Sequence, residues 1–288
     1  MLLGQYFKNL NPRFKNHFFS GVSFNSKKCK KNNIFFAIRG TALNGNKYIQ
    51  EAIKNGARTI ISDLKFKGYK NKVLYLRSKD TRQLLAEISQ KLFLNKPKKI
   101  VAVTGTNGKS SIANFYYQIF KLNNKRVASI GTLGIHSNNN KVSLSNTTID
   151  PIKLGKILVK LKKREKINNV ILEASSHGLK QKRLDGIQFD TGIFTNLSHD
   201  HLDYHKSIRD YLNSKLYLFE KLLKRGSKII TDNEISEFRK IKKISIKRKL
   251  KLKTILNNKA SITLLAHKYL GENQFIKIKY KKKIILFY

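Results

Sequence analysis

Apolar and polar positions alternate along this chain in two different rhythms. In the first third, Asn33–Ile38 (NIFFAI), Arg58–Ser62 and Lys72–Leu76 are short β-branched or aromatic runs between turn residues, and they predict strands. Asn46–Asn55 predicts a helix closed by Gly56, the usual residue just past a helix end. Asp80 predicts the cap of a helix through Phe93, with Leu84, Leu85, Ile88 and Leu92 on one face. Asn95-Lys96-Pro97-Lys98-Lys99 breaks that helix and is the best linker candidate.

From Ile100 onward strands and helices alternate, which predicts a parallel sheet with helices on its faces. Ile100–Thr104, Val127–Ile130, Val170–Ala174, Gly192–Thr195 and Lys228–Thr231 are the predicted strands. Lys109–Lys121 is a predicted helix, and Asp150-Pro151 opens another that runs to about Leu161, with Asp as cap and Pro at the first helical position. Ser207–Leu223 predicts a long amphipathic helix whose inward stripe is Leu212, Leu216, Phe219 and Leu223. Lys215 falls on that apolar side, three residues after Leu212 and four before Phe219. The fold class expected is α/β: a small N-terminal α/β domain over residues 1–95, then a mostly parallel-sheet domain over 96–288.

Composition narrows the class. The chain carries 60 Lys and Arg against 17 Asp and Glu, a formal charge of +43, and a single cysteine, Cys29, so no disulfide framework exists. No apolar run approaches a membrane span, and the N-terminus has no signal-peptide pattern; a cytoplasmic location away from membranes is expected. The charge admits a nucleic-acid partner. Yet lysine is spread along the whole chain and arginine is scarce, so drift toward A/T-rich codons accounts for it better, and nucleic acid is not the expected partner. Arg239–Lys253 is the densest basic stretch and lies outside the motifs below; it leaves a polyanion-binding protein as a rival reading.

The sharpest signal is Thr104-Gly105-Thr106-Asn107-Gly108-Lys109-Ser110-Ser111, between a predicted strand and a predicted helix. That is the context of a phosphate-binding loop: glycines turn backbone N–H groups toward phosphate oxygens, the helix start adds partial positive charge, Lys109 meets the β/γ phosphates, and Ser110 offers a hydroxyl to Mg²⁺. Val103 stands where the strict pattern has Gly, so the loop is a variant. Glu173, at the end of a predicted strand, is a candidate Mg²⁺ ligand. His199, Asp200, His201, Asp203 and His205 crowd one short stretch and admit a zinc site, although that spacing does not fall on one helical face.

TGTNGKSS resembles the phosphate loop of the Mur ligase family, the ATP-dependent amide-forming enzymes of bacterial cell-wall synthesis. Asn146–Pro151 (NTTIDP), Glu173–Arg183 (EASSHGLKQKR) and Phe194–His205 (FTNLSHDHLDYH) are similar to segments of its MurE type, which adds the third amino acid to UDP-MurNAc-L-Ala-D-Glu. Asn25-Ser26-Lys27 and Gly40–Gly45 resemble its uridine-holding segments, with Asn25 and Asn44 where Asp is usual and Lys27 where Arg is usual.

The resemblance implies a UDP-MurNAc-binding first domain and a central ATP-binding domain, with ATP and Mg²⁺ as cofactors. It implies UDP-MurNAc-L-Ala-D-Glu as substrate, diaminopimelate or lysine as second substrate, an acyl-phosphate intermediate and a monomer. It assigns Gly105 to Ser111 to ATP, and Lys109, Lys215, Glu173 and His201 to catalysis. Ser110, Glu173, His201 and Lys215 as a carbamate are assigned to Mg²⁺. Phe24, Ser26, Thr41, Ala42, Leu43, Asn146, Thr147, Thr148, Ser175, Gln181 and Arg183 are assigned to the substrate. It also implies roles in cell shape and division, and it leads to the expectation that the chain is C-terminally truncated, without the family's Rossmann-like ligase domain and its amino-acid site. Rival readings within the enzyme class are the folylpolyglutamate and cyanophycin synthetase types.

Overall fold

The structure, a computed structural model, describes residues 1–40, 43–138, 140–200, 203–256, 260–280 and 283–287. The chain divides into two compact units. The first comprises Met1–Lys96 together with Asp150–Lys160 and Gln181–Ile187; the second comprises Pro97–Ile149, Leu161–Lys180 and Gln188–Tyr288.

The first unit holds a five-stranded sheet built from β1 (Gly21–Ser23), β2 (Asn33–Phe36), β3 (Ala57–Ser62), β4 (Gly68–Lys70) and β5 (Val73–Arg77), in the order β1-β2-β3-β5-β4. All neighbours are parallel except β4 against β5. Helices α1 (Ile49–Lys54) and α2 (Thr81–Leu92) serve two separate apolar clusters. Ile34, Phe36 and Ile61 pack with Leu85 and Ile88 of α2, while Phe35 and Ile60 pack with Ile49 and Ala52 of α1, as the alternation of strand side chains requires. Asp80 caps α2 as expected, its carboxylate accepting the Gln83 N–H at 2.9 Å. The helix expected at Asn46–Asn55 begins instead as a 3₁₀ turn, Gly45–Tyr48, before α1.

The second unit is a single eleven-stranded sheet. Its strands are β6 (Lys99–Thr104), β7 (Val127–Gly131), β8 (Gly134–Ser137), β9 (Lys141–Val142), β10 (Asn169–Glu173), β11 (Phe189–Phe194), β12 (Leu223–Asp232), β13 (Lys251–Leu256), β14 (Ile262–Leu270), β15 (Asn273–Tyr280) and β16 (Lys283–Phe287). Its helices are α3 (Lys109–Leu122), α5 (Ser176–Lys180), α6 (Ile208–Tyr217) and α7 (Phe238–Lys247), while α4 (Pro151–Lys163) belongs to the first unit through Lys160. The order is β16-β15-β14-β13-β12-β11-β6-β10-β7-β8-β9. The run from β14 to β7 is parallel, which agrees with the expected class; antiparallel hairpins extend it at both edges.

Strand β6 lies between β10 and β11, while the chain leaving it passes over β10 to reach β7. The loop after β6 therefore sits where the strand order reverses, the place at which open α/β sheets bind ligands. Register brings the ends together: Val103 pairs with Glu173, Thr104 with Phe194, and Leu172 with Ile130.

One expectation is corrected. The helix drawn as Ser207–Leu223 is α only over Ile208–Tyr217; Leu218–Leu222 widen into a π-helical turn and Leu223 opens β12. The wider turn carries Phe219 against Gly192, where a Cβ would stand 2.8 Å from the Phe219 ring, and the packing of Phe219 and Leu222 overrides the helical period there. The basic stretch Arg239–Lys253 is ordinary secondary structure: α7 buries Ile241 and Ile244, and β13 follows, leaving its cations exposed except Arg248, which is half-buried and donates to Leu223 O at 2.7 Å. Among the described residues no helix is long and apolar enough to cross a membrane.

Phe36 is fully buried in the α2-side cluster. Phe36→Ala should lower stability by about 3–5 kcal/mol, the usual cost of emptying an aromatic site. Urea denaturation followed by circular dichroism measures it; a loss below about 1 kcal/mol would show that the site collapses or was never packed.

Candidate functional site

The loop from β6 to α3 has the backbone its glycines predict. Gly108 caps α3 in the left-handed region, φ +81°. Gly105 has φ +150°, and a Cβ there would lie 1.8 Å from Thr195 Oγ1. The reason for that closeness is the segment after β11, which zips along the loop. Asn196 O accepts from Thr106 N (2.9 Å), Asn196 Oδ1 from Asn107 N (2.9 Å), and Thr195 Oγ1 donates to Asn107 O (2.7 Å). The Thr106 hydroxyl accepts the Ser198 N–H at 3.0 Å.

Glu173 ends β10 and is 2% exposed. Such a charge must be hydrogen-bonded to be tolerated. Ser110 Oγ donates to Oε2 (2.9 Å), Thr132 N to Oε1 (2.9 Å) and Thr132 Oγ1 to Oε2 (3.2 Å). Gly131 makes room: a Cβ there would lie 2.0 Å from Oε1. A second polar layer lies beside it. Thr148 Oγ1 is 3.0 Å from both Glu173 O and Ser175 Oγ, and Thr147 Oγ1 is 3.0 Å from Thr132 Oγ1. Ser175 Oγ accepts the Gly178 N–H.

Two lysine amines lie on the loop from β6 to α3. Lys109 Nζ folds back onto its own loop, donating to Gly105 O (3.1 Å) and Thr106 O (2.6 Å). Burial lowers its pKa, while Glu173 and Asp200 oppose that. Lys215 is 1% exposed; its amine donates to Gly105 O at 2.6 Å and lies 4.0 Å above the Tyr211 ring. Burial, reinforced by Lys109 and partly offset by Asp200, pulls the Lys215 pKa down to about 7. Together these groups line a cavity of about 370 Å³ bounded by the loop Thr106–Ser111, Thr132, Thr147, Ser175, Asp200 and Lys215.

The remaining expected residues lie as follows. Asn146 is exposed and donates to Ser145 Oγ at 3.4 Å, and it does not line the cavity. In the first unit, Phe24 and Leu43 are exposed, whereas Ser26 is buried and donates to Glu51 Oε2 at 2.6 Å. Asn25 and Asn44 each cap a 3₁₀ turn, accepting from Lys27 N and Asn46 N, a task that Asn and Asp perform equally well. Arg183 donates through Nε and Nη2 to Gln181 Oε1, at 3.1 and 2.8 Å. Thr41, Ala42 and His201 lie outside the described residues. Of the histidine-rich stretch, His199 is exposed and His205 is buried, and among the described residues no three His, Cys, Asp or Glu side chains gather as a metal site.

Several residues of this site were not singled out from the sequence: Thr132, Thr195, Asn196 and Tyr211. Thr195 and Asn196 stand inside the FTNLSHDHLDYH segment, so the motif pointed to them without giving a role; Asp200, weighed there only as one of five zinc candidates, lines the cavity instead. Thr132 carried no signal, because its meeting with Glu173 depends on strand register.

A phosphate-type loop at the switch point of a parallel sheet, with a strand-end carboxylate on the loop serine, defines a nucleotide-binding unit. Residues 103–285 match the Mur ligase middle domain, and residues 19–92 match the Mur ligase family catalytic domain. The first match alone covers more than half of the sequence, and the chain belongs to the Mur ligase family. It is 38% identical to a UDP-N-acetylmuramoyl-L-alanyl-D-glutamate–2,6-diaminopimelate ligase of Rickettsia bellii, over 92% of this chain and 55% of the relative. With the ligase of the same name from Bradyrhizobium diazoefficiens the identity is 40%, over 72% and 42%. A solved structure of a ligase of that name superposes with a TM-score of 0.82 at 26% identity, over 96% of this chain and 57% of the other. MurF ligase from Thermotoga maritima in complex with ADP shares the fold, with a TM-score of 0.56 at 18% identity. The chain spans about half the length of the curated relatives it matches.

Lys215 gives the site a pH signature. Unfolded, the amine titrates near 10.5; folded, near 7. Between these values the unfolded chain holds the proton and the native chain does not, so this residue makes stability rise with pH, by up to about 1.4 kcal/mol per unit. Below pH 7 both states are protonated and the penalty of the buried cation is complete. Lys215→Met should therefore be most stabilising relative to wild type near pH 6, with the difference shrinking toward pH 9. Urea titrations of both proteins in CO₂-free buffer measure this, and a difference that does not change with pH would contradict it.

Proposed function

We propose that this chain carries the UDP-precursor-binding and ATP-binding parts of a ligase that adds diaminopimelate to UDP-MurNAc-L-Ala-D-Glu in the cytoplasm. The observation that carries the reading is the Ser110–Glu173 pair, 2.9 Å apart, whose serine lines the same cavity as Lys109, Lys215, Thr147 and Ser175. Support for diaminopimelate comes from the names of relatives at 38–40% identity. Those same relatives favour this reading over the folylpolyglutamate and cyanophycin synthetase types, and over a polyanion binder.

The reaction transfers the γ-phosphoryl group of ATP to the D-Glu γ-carboxylate, giving an acyl phosphate; the incoming amine attacks its carbonyl carbon and phosphate leaves. Phosphoryl transfer needs positioning and charge neutralisation. The loop N–H groups from Gly105 to Ser111 cradle the phosphates, and Lys109 exchanges its contacts with Gly105 O and Thr106 O for the β/γ oxygens. Ser110, Glu173 and His201 would hold Mg²⁺, and the hydroxyl–carboxylate donor set fits an ion that selects oxygen; bound there, it supplies charge neutralisation. Lys215 in its neutral form attacks CO₂, forming an N–C bond and releasing a proton, and the resulting carbamate adds an oxygen ligand in place of a cation. Asn146, Thr147, Thr148 and Ser175, with Gln181 and Arg183, serve the substrate peptide and sugar. Phe24, Ser26, Thr41, Ala42 and Leu43 serve the uridine.

Isothermal titration of residues 1–288 with ATP and Mg²⁺ tests this. Wild type should bind, and Lys109→Ala should weaken binding about 10- to 150-fold, the loss of a charge-assisted contact of about 1.5–3 kcal/mol. Unchanged affinity in the variant would refute the assignment.

A further inference from the structure

Tyr211 has no part in the chemistry described above, yet it touches two groups that do. It lies on α6, 1% exposed, one helical turn before Lys215. Its ring centroid is 4.0 Å from Lys215 Nζ, within cation–π range. Its hydroxyl is 3.3 Å from Thr106 Oγ1. The buried His205 ring packs 5.0 Å from the Tyr211 ring, and Leu212 and Leu216 anchor the same helix in the core.

The hydrogen-bond inventory of Thr106 assigns a direction to the tyrosine contact. A threonine hydroxyl has one proton to donate and two lone pairs to accept with. Thr106 Oγ1 accepts the Ser198 N–H at 3.0 Å and has Ser198 O at 3.4 Å as an acceptor for its own proton. One lone pair remains, and the Tyr211 O–H supplies its donor. With Tyr211 as donor, every position on this 7%-exposed threonine is used.

We propose that Tyr211 is a positioning residue for the nucleotide site. Its hydroxyl pins Thr106 of the phosphate loop, while its ring face holds the Lys215 amine beside Gly105 O. One side chain thus sets the spacing between the loop and the buried lysine before nucleotide arrives. The inference rests on the phosphate-loop reading above, and it goes beyond that reading by extending the loop's support to a residue that does not line up with any of the loop's own motifs.

A double-mutant cycle tests it, read as the ATP·Mg²⁺ dissociation constant of the 288-residue chain. Tyr211→Phe keeps the ring and loses the donor; Thr106→Val loses the acceptor; Thr106→Ser keeps a hydroxyl. Tyr211→Phe and Thr106→Val should each weaken binding about fivefold, the value of one ordinary hydrogen bond. The double variant should be no weaker than the poorer single one, and Thr106→Ser should retain wild-type affinity. Two independent packing roles would instead multiply to about 25-fold, and that result, or an unchanged affinity in Tyr211→Phe, would overturn the proposal. Thermal melts of each variant confirm that the compared proteins are folded; Thr106→Ser against Thr106→Val gives a hydroxyl-dependent readout even if Tyr211→Phe proves unstable, and equal affinities in that pair would also count against it. Lys109→Ala separates the two levels. Wild type that fails to bind ATP overturns the phosphate-loop reading, whereas wild type that binds, loses affinity in Lys109→Ala and shows additive losses in the cycle overturns the role of Tyr211 alone.

Discussion

A carboxylate held almost wholly out of water at the end of β10 ties together the loops at this corner of the second unit. Glu173 is tolerable there only because Ser110 and Thr132 donate to it and because Gly131 leaves the space it fills. Each of those donors belongs to a different connection: Ser110 to the start of α3, Thr132 to the turn after β7. The parallel register that pairs Val103 with Glu173 and Leu172 with Ile130 makes them converge. A one-residue slip of β10 would turn Glu173 to the opposite face of the sheet and leave the loop serine without its partner.

The same corner carries two lysines whose pKa values burial lowers, Lys109 adding to the effect on Lys215; Asp200 opposes it at both, and Glu173 at Lys109. Both amines donate to loop carbonyls: Lys109 to Gly105 O and Thr106 O, Lys215 to Gly105 O. Gly105 O therefore accepts from two lysine amines. The zipper from Thr195 to Ser198 holds the loop in shape.

Much of this was legible in the sequence where local spacing carried the information. The strand–glycine–lysine–helix order located the turn between β6 and α3, and the i±3/i±4 positions of Leu212 and Phe219 placed Lys215 on the buried side of α6, where it is 1% exposed. What depended on long-range packing was not legible. The helix after Ser207 ends early because Phe219 must reach Gly192 across the sheet. The lysine-rich alternation of β13 masked a strand, since its charges follow the outward positions of a sheet. Asn25 and Asn44 stand where the resembled segments have Asp; locally they close 3₁₀ turns, for which the amide oxygen suffices. Thr132 and Tyr211 contribute through partners about 40 and 105 residues away, a relation no local pattern encodes.

The central claim is that Glu173 is poised at the loop mouth to share Mg²⁺ with Ser110 and the nucleotide. ATP titrations of wild type and Glu173→Gln, each with and without Mg²⁺, test it most directly. The substitution keeps the shape and removes the charge. Wild type should bind ATP more tightly when Mg²⁺ is present, and Glu173→Gln should lose that gain while keeping its Mg²⁺-free affinity. An undiminished Mg²⁺ effect in Glu173→Gln would contradict the account.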